Sequence, residues 1–139
     1  MSRVHLIEDL RARGFRITVA REAILEIFSR EHAPLSATDI REALLKEHVT
    51  LDKVTVYREL DFLEAQGITR LVQLQDGHRR YELASLEHHH HLICETCHCV
   101  EDVHVQENFS AQEQAILEAK KFKILRHSLE FFGLCKKCQ

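Results

Sequence analysis

His88-His89-His90-His91-Leu92-Ile93-Cys94-Glu95-Thr96-Cys97 is the stretch that decides how this chain is read. Four imidazoles run into a C-x-x-C pair, and a second pair, Cys135-x-x-Cys138, closes the chain. Thiolates and imidazoles are the preferred ligands of zinc and similar first-row divalent metals. One C-x-x-C turn brings two sulfurs to the same ion, and two such turns complete a tetrahedron. If residues 88–93 form a strand, successive side chains alternate faces. His88 and His90 then point one way, and His89 and His91 the other. One short segment feeds two metal centres while its end anchors a third.

Three plainer readings compete. A purification-tag remnant belongs at a terminus or in a linker, whereas this run leads into an apolar, strand-like sequence. Disulfides call for an oxidising compartment, and no signal peptide is apparent. A thioredoxin-type redox C-x-x-C expects a βαβ context that the pattern lacks.

Bulk properties set the bounds. A chain of 139 residues, 45% hydrophobic and 29% charged, describes one ordinary globular domain or two small ones. No apolar run approaches the roughly 20 residues of a membrane-spanning helix, so no membrane partner is expected and the cytoplasm is the default location. Net charge is −3. Residues 1–83 carry 13 basic against 14 acidic side chains, and the remainder 6 against 8. Any basic face must therefore be local. All five cysteines and seven of the eleven histidines lie from residue 88 onward, which divides the chain by composition.

Taken in order, Val4 to Arg13 reads as a helix on Val4, Leu6, Ile7 and Leu10, stopped by Gly14. Thr18 caps a second helix, Val19 to Arg30, with a stripe of Ala23, Ile24, Ile27 and Phe28. Pro34 breaks the chain. Ser36 and Asp39 form a capping box opening a third helix through Ile40, Ala43, Leu44 and Leu45. Thr50 or Asp52 begins a fourth, Lys53 to Gln66, with Val54, Tyr57, Leu60 and Leu63 toward the core. Ile68 to Leu74, Asp76-Gly77 and Arg79 to Leu83 signal a hairpin. Helices followed by a hairpin suggest a winged helix-turn-helix, whose last helix enters the major groove of DNA. Lys53, Thr55, Arg58 and Glu59 are left on the outer face. Such a face is by default merely solvated, but the Arg58 guanidinium suits phosphate or guanine. His78, Arg79 and Arg80 make a small basic wing tip. Val100 to Val105 reads as a strand, Ser110 to Glu113 as a capping box opening a helix to about Lys121, and Ile124 to Phe132 as a strand. The last places His127 with Leu125, Leu129 and Phe131, as either a core residue or a ligand.

Five motifs in order, Gly14-x-Arg16-x-Thr18-x-x-Arg21, Thr55-Val-Tyr57-Arg58-x-Leu60, His88–Cys97, His127-Ser-Leu and Cys135-x-x-Cys138, resemble the ferric uptake regulator (Fur) family of metal-sensing repressors over nearly the whole length. The resemblance implies an α+β chain. A winged-helix DNA-binding domain (1–83) and a hinge (84–87) precede a small α/β dimerisation and metal-binding domain (88–139). It implies a structural zinc on Cys94, Cys97, Cys135 and Cys138. It implies an interdomain regulatory site for Fe2+, Mn2+ or Zn2+ on Glu82, His89, His91 and Asp102, with His32 the histidine closest to the family's remaining position. A second site falls on His88, His90, His127 and an acid. Glu107 is preferred to Glu113, because the capping box gives Glu113 a structural job. On DNA the match points to Arg16 for the minor groove and Tyr57 with Arg58 for the major groove, and Lys53 and Thr55 share that helix.

The chain departs from the family at Ala20, usually proline, and at His98 and Cys99, usually glycine and a basic residue. Cys99 is read as a spare thiol. His90 stands where iron sensors often carry aspartate, while Asp102 is typical of peroxide sensors. The expectation is a homodimeric, metal-dependent repressor on a palindromic double-stranded operator, in an iron, zinc or peroxide branch. A metalloenzyme would need a general base beside an open coordination position, and no H-E-x-x-H or like motif supplies one. A zinc-stabilised interaction module is the remaining alternative.

Overall fold

A computed structural model describes residues 2–74 and 77–139; Asp76 of the expected hairpin turn lies outside them. The chain is α+β and divides into two compact units, Met1–Glu87 and His88–Gln139.

The first unit runs α1 (Arg3–Ala12), α2 (Val19–Arg30), β1 (Leu35–Ser36), α3 (Ala37–Lys46), α4 (Lys53–Ala65), β2 (Thr69–Gln73) and β3 (Arg79–Leu83). Its antiparallel sheet has the order β1-β3-β2, with Leu35 opposite Tyr81 and Arg70 opposite Glu82. Side-chain oxygens of Ser2, Thr18, Ser36 and Asp52 each accept a backbone N–H three residues on, so every helix start is satisfied locally. Ser36 and Asp39 form the reciprocal box. α1 and α4 both end in the paired backbone bonds of a Schellman turn, with Gly14 and Gly67 at positive φ. α3 ends the same way, but His48 occupies its left-handed position, at φ 61°.

Burial corrects the apolar stripes of all four helices. In α4 the core takes Val56, Leu60 and Leu63, and Val54 and Tyr57 face outward. Val4 and Leu45 are likewise exposed, and Leu25 replaces Ala23 among the buried residues of α2. Arg80, expected at the wing tip, is buried.

The second unit runs β4 (His90–Cys94), β5 (Val100–Val103), α5 (Ser110–Lys120) and β6 (Glu130–Gly133), with sheet order β5-β4-β6. β4 pairs antiparallel with β5 and parallel with β6, α5 lying in the crossover between them. The strand expected over 124–132 shrinks to β6, and His127 sits in the preceding irregular segment, where Leu125 is 86% exposed. Alternation in 124–132 is thus not the signature of a packed face. The expected capping box of α5 does not form: Phe109 is the N-cap without a side-chain bond, and Asn108 Oδ1 accepts the Ser110 N–H at 3.0 Å.

This unit has almost no aliphatic core. Its buried apolar side chains among the described residues are Ile93 and Cys94, joined by His89, His90 and His91. A unit this short cannot bury enough apolar surface alone and calls for a metal, a disulfide or oligomerisation.

Candidate metal centres

Cys94 ends β4, Cys97 lies in the turn after it, and Cys135 and Cys138 lie in the turn after β6. The parallel β4–β6 pairing brings the two turns together. Their four sulfurs are free thiols lying within 4.8 Å of one another, with Cys97 Sγ and Cys135 Sγ 3.7 Å apart. A zinc–sulfur bond of about 2.3 Å makes a tetrahedral edge of about 3.8 Å, so the donor set fits zinc. Backbone N–H groups favour the thiolate: those of Cys135 and Cys97 draw the Cys94 thiol down to about 6. Hydrogen bonding to Cys135 pushes Cys138 up to about 12, and bonding to Cys97 does the same to Cys99. Cys99 stands outside the four-sulfur group. The knuckle closes through Cys94 N–H to Cys99 O (3.0 Å) and His98 N–H to Cys94 O (2.9 Å), with His98 at φ 59°. That positive φ is the physical reason a glycine suits this position.

Strand alternation parts the histidines, although β4 begins only at His90. His88 and His90 meet His127 and Glu107. Nε2 of His88 and of His127 each lie 2.6 Å from Glu107 Oε1, and Nε2 of His90 lies 2.8 Å from it. Three imidazole nitrogens around one oxygen are more than a carboxylate lone-pair geometry accommodates as separate hydrogen bonds. Together they are a donor set that could hold one cation. Burial pushes Glu107 up, but the imidazoles of His127, His88 and His90 around it outweigh that and hold the carboxyl at about 2. The bond to Glu107 in turn raises His127. Glu113, excluded in the sequence reading on the strength of a capping box that does not form, lies 3.4 Å from Nδ1 of His127.

His89 and His91 turn to the other side, their rings 5.0 Å apart and nearly perpendicular. Each Nε2 lies 3.8 Å from Oδ1 of Asp102, the residue paired with His91 across β4 and β5. Two imidazoles and a carboxylate on one face of a two-stranded ladder are a donor set for a divalent first-row metal. In the first unit, Glu82 is buried on β3 with Arg70 Nη2 2.7 Å from Oε1. His32 is exposed in the segment 31–34.

Among the residues expected on DNA, Lys53, Tyr57 and Arg58 are exposed on α4 and Thr55 is half-buried. Arg16 is exposed ahead of α2. Glu59, read as an outer-face residue, is instead gripped by Arg21, with Nε–Oε2 2.9 Å and Nη2–Oε1 3.3 Å. Arg21 Nη1 also donates to the Arg16 carbonyl at 2.6 Å, and its guanidinium lies 3.7 Å over the Phe62 ring. Arg21 carries no signal in the sequence beyond its place in the Gly14–Arg21 motif. The Arg21–Glu59 spacing of 38 residues leaves no local signal.

The sequence model described as the Ferric uptake regulator family matches residues 12–132. The chain is similar to a ferric uptake regulation protein of Legionella pneumophila, 37% identical over 134 residues, covering 95% of this chain and 97% of that one. It is also similar to a peroxide-responsive repressor, PerR, of Staphylococcus saprophyticus, 32% identical over 139 residues and covering 97% and 93%. Among solved structures, the ferric uptake regulator of Vibrio cholerae superposes with a TM-score of 0.78 at 26% identity, over 92% of this chain and 98% of that one. That of Helicobacter pylori, described as having three functional metal binding sites, superposes with a TM-score of 0.76 at 25% identity, over 96% and 89%.

Proposed function

This chain belongs to the ferric uptake regulator family of metal-responsive transcriptional regulators, not enzymes, and on that premise we propose that it is a dimeric repressor. It binds a palindromic operator when a divalent metal occupies a site shared by its two units. Members of the family bind DNA as dimers, and no helix among the described residues is long and apolar enough to cross a membrane. The observation that carries the reading is the parting of four consecutive histidines into two carboxylate-bearing groups.

His89, His91 and Asp102 supply the regulatory donors from the dimerisation unit. Glu82 supplies one from the DNA-binding unit, with His32 as its further donor. The complete set then exists only in some arrangements of the two units. A ligand shifts such an equilibrium only by its differential affinity for the arrangements. Neutral imidazoles and ionised carboxylates hold the ion, which supplies charge compensation when bound. The cysteine cluster holds a structural zinc, and His88, His90, Glu107 and His127 hold a second ion within the dimerisation unit. Arg16, Lys53, Thr55, Tyr57 and Arg58 face the operator from each protomer, in the cytoplasm. The regulatory donors are compatible with Fe2+, Mn2+ or Zn2+. Relatives named for iron uptake and for peroxide response are both similar to this chain.

The test is operator binding by full-length protein with its cysteine-bound zinc counted, titrated with Fe2+ (anaerobically), Mn2+ and Zn2+. The operator is first selected from random duplexes. A metal-dependent gain of about 5- to 150-fold is expected for a coupled site. His89→Ala with His91→Ala abolishes it while leaving a folded dimer; a normal metal response in that variant refutes the reading. Peroxide treatment of iron-loaded protein separates the branches, since only a peroxide sensor gains oxygen on a site histidine.

A further inference from the structure

We propose that Glu113 is a positioning residue for the second metal site: it holds the Nδ1 proton of His127 and so presents the Nε2 lone pair to the ion. The inference rests on the reading of His88, His90, Glu107 and His127 as that site. His127 lies outside any helix or strand, so no regular backbone pairing fixes its ring. Its surroundings do. Phe109 packs edge-on at 5.2 Å and His88 at 5.0 Å between ring centroids. Nε2 faces Glu107 at 2.6 Å, and Nδ1 faces Glu113 Oε1 at 3.4 Å.

A neutral imidazole has one N–H and one lone pair, and an ionised carboxylate only accepts. Without an ion both nitrogens face carboxylates, Glu107 at 2.6 Å and Glu113 at 3.4 Å; when an ion displaces the Nε2 proton, Glu113 keeps the remaining proton on Nδ1 and Nε2 is the ligand. A carboxylate behind a ligating histidine fixes both its tautomer and its orientation and raises its basicity. Glu113 suits the part because it sits in the first turn of α5, where the helix dipole favours a negative charge. It is also released from capping, since α5 starts without a side-chain cap. The contact ties the start of α5 to the segment carrying His127.

The experiment uses the full-length protein with its cysteine zinc in place and Co2+ as probe. Glu113→Ala is expected to weaken Co2+ binding at this site about 10- to 100-fold. Glu113→Gln, whose carbonyl accepts the same proton, restores most of the affinity, and Glu118→Ala on the same helix leaves it unchanged. Long-range 1H–15N correlation on the Zn2+-loaded protein reads the Nδ1 proton of His127 directly. Its signal exchanges slowly with water in the wild type and in Glu113→Gln, and is lost to exchange in Glu113→Ala. Ligation of His127 through Nδ1 in the wild type, or undiminished Co2+ affinity in Glu113→Ala, overturns the positioning role alone. Co2+ uptake that His127→Ala fails to change overturns the metal-site reading itself, and this assignment with it.

Discussion

A guanidinium that grips a carboxylate through two nitrogens, donates to a carbonyl with a third and lies over a phenyl ring has no equivalent in an ammonium. Arg21 does all of this, and it and Glu59 are only 11% and 14% exposed. Arg21→Lys is expected to lower stability by about 1–2 kcal/mol, less than the 3–5 of a fully buried pair because solvent reaches this one. Urea denaturation measures it. A loss below a few tenths would mean that the pair is only decorative. Glu107 and His127 of the second site set a pH dependence whose sign follows from their shifts. Glu107 lies below its ordinary 4.5, at about 2, so its contribution is complete above about 4.5 and is lost as pH falls through about 2. His127 is raised above 6.5, so its contribution is complete below 6.5 and is lost as pH rises through that raised value. Protein stripped of metal at this site should therefore be most stable between about 4.5 and 6.5 and melt lower at pH 8. Metal binding needs neutral imidazole, so added Mn2+ should stabilise more at pH 8 than at pH 6. Thermal melts at both values, with and without Mn2+, check the pair of signs. The alternation of His88 to His91 was legible because a period of two is a property of extended backbone. The contact of Glu113 with His127 was not, because the cap for which Glu113 was set aside does not form in the folded chain.

Helix boundaries were readable wherever a side chain closes its own backbone. Thr18, Ser36 and Asp52 cap as their type dictates, and Gly14 and Gly67 stop helices by accepting positive φ. Where the rule needs packing to choose a face, it failed. Val54 and Tyr57 fit a helical stripe as well as Val56 does, and burial chose Val56. The same limit hid the true extent of β6, since Ile124 to Leu129 alternate in polarity but lie outside the sheet. α3 shows what the local rules leave behind. It ends in a Schellman turn whose left-handed residue is His48 instead of glycine. A side chain in that region costs about 1 kcal/mol. His48→Gly should stabilise the first unit by about that much, raising its midpoint by about 4–8 °C for a unit of this size. His48→Ala, which keeps the Cβ, should give no such gain. Equal midpoints for the glycine and alanine variants would place the cost elsewhere.

At the scale of the molecule, the second unit poses the question of what replaces a hydrophobic core. Histidines 89–91 occupy its interior, while Ile116, Leu117, Phe131 and Phe132 are each more than a third exposed. α5 buries none of its eleven residues. Exposed apolar side chains on this scale mark an interaction surface, and a second copy is the partner that a family of DNA-binding dimers requires. On the proposed reading a two-fold dimer doubles the number of α4 helices presented to a palindromic operator, and the second helix binds at an effective concentration set by the first. Net charge of −3 makes this doubling matter more, because no general electrostatic attraction holds a single protomer on DNA. Ile116→Glu with Leu117→Glu places two like charges on each side of the interface. Sedimentation velocity should then show a monomer at micromolar concentration. Operator affinity should fall by about 100-fold or more, the lower range of avidity for linked modules, while the zinc content of the cysteine site stays unchanged. A variant that sediments as a dimer and binds its operator normally would show that α5 lies outside the interface, and the exposed face of β6 would then be the surface to alter.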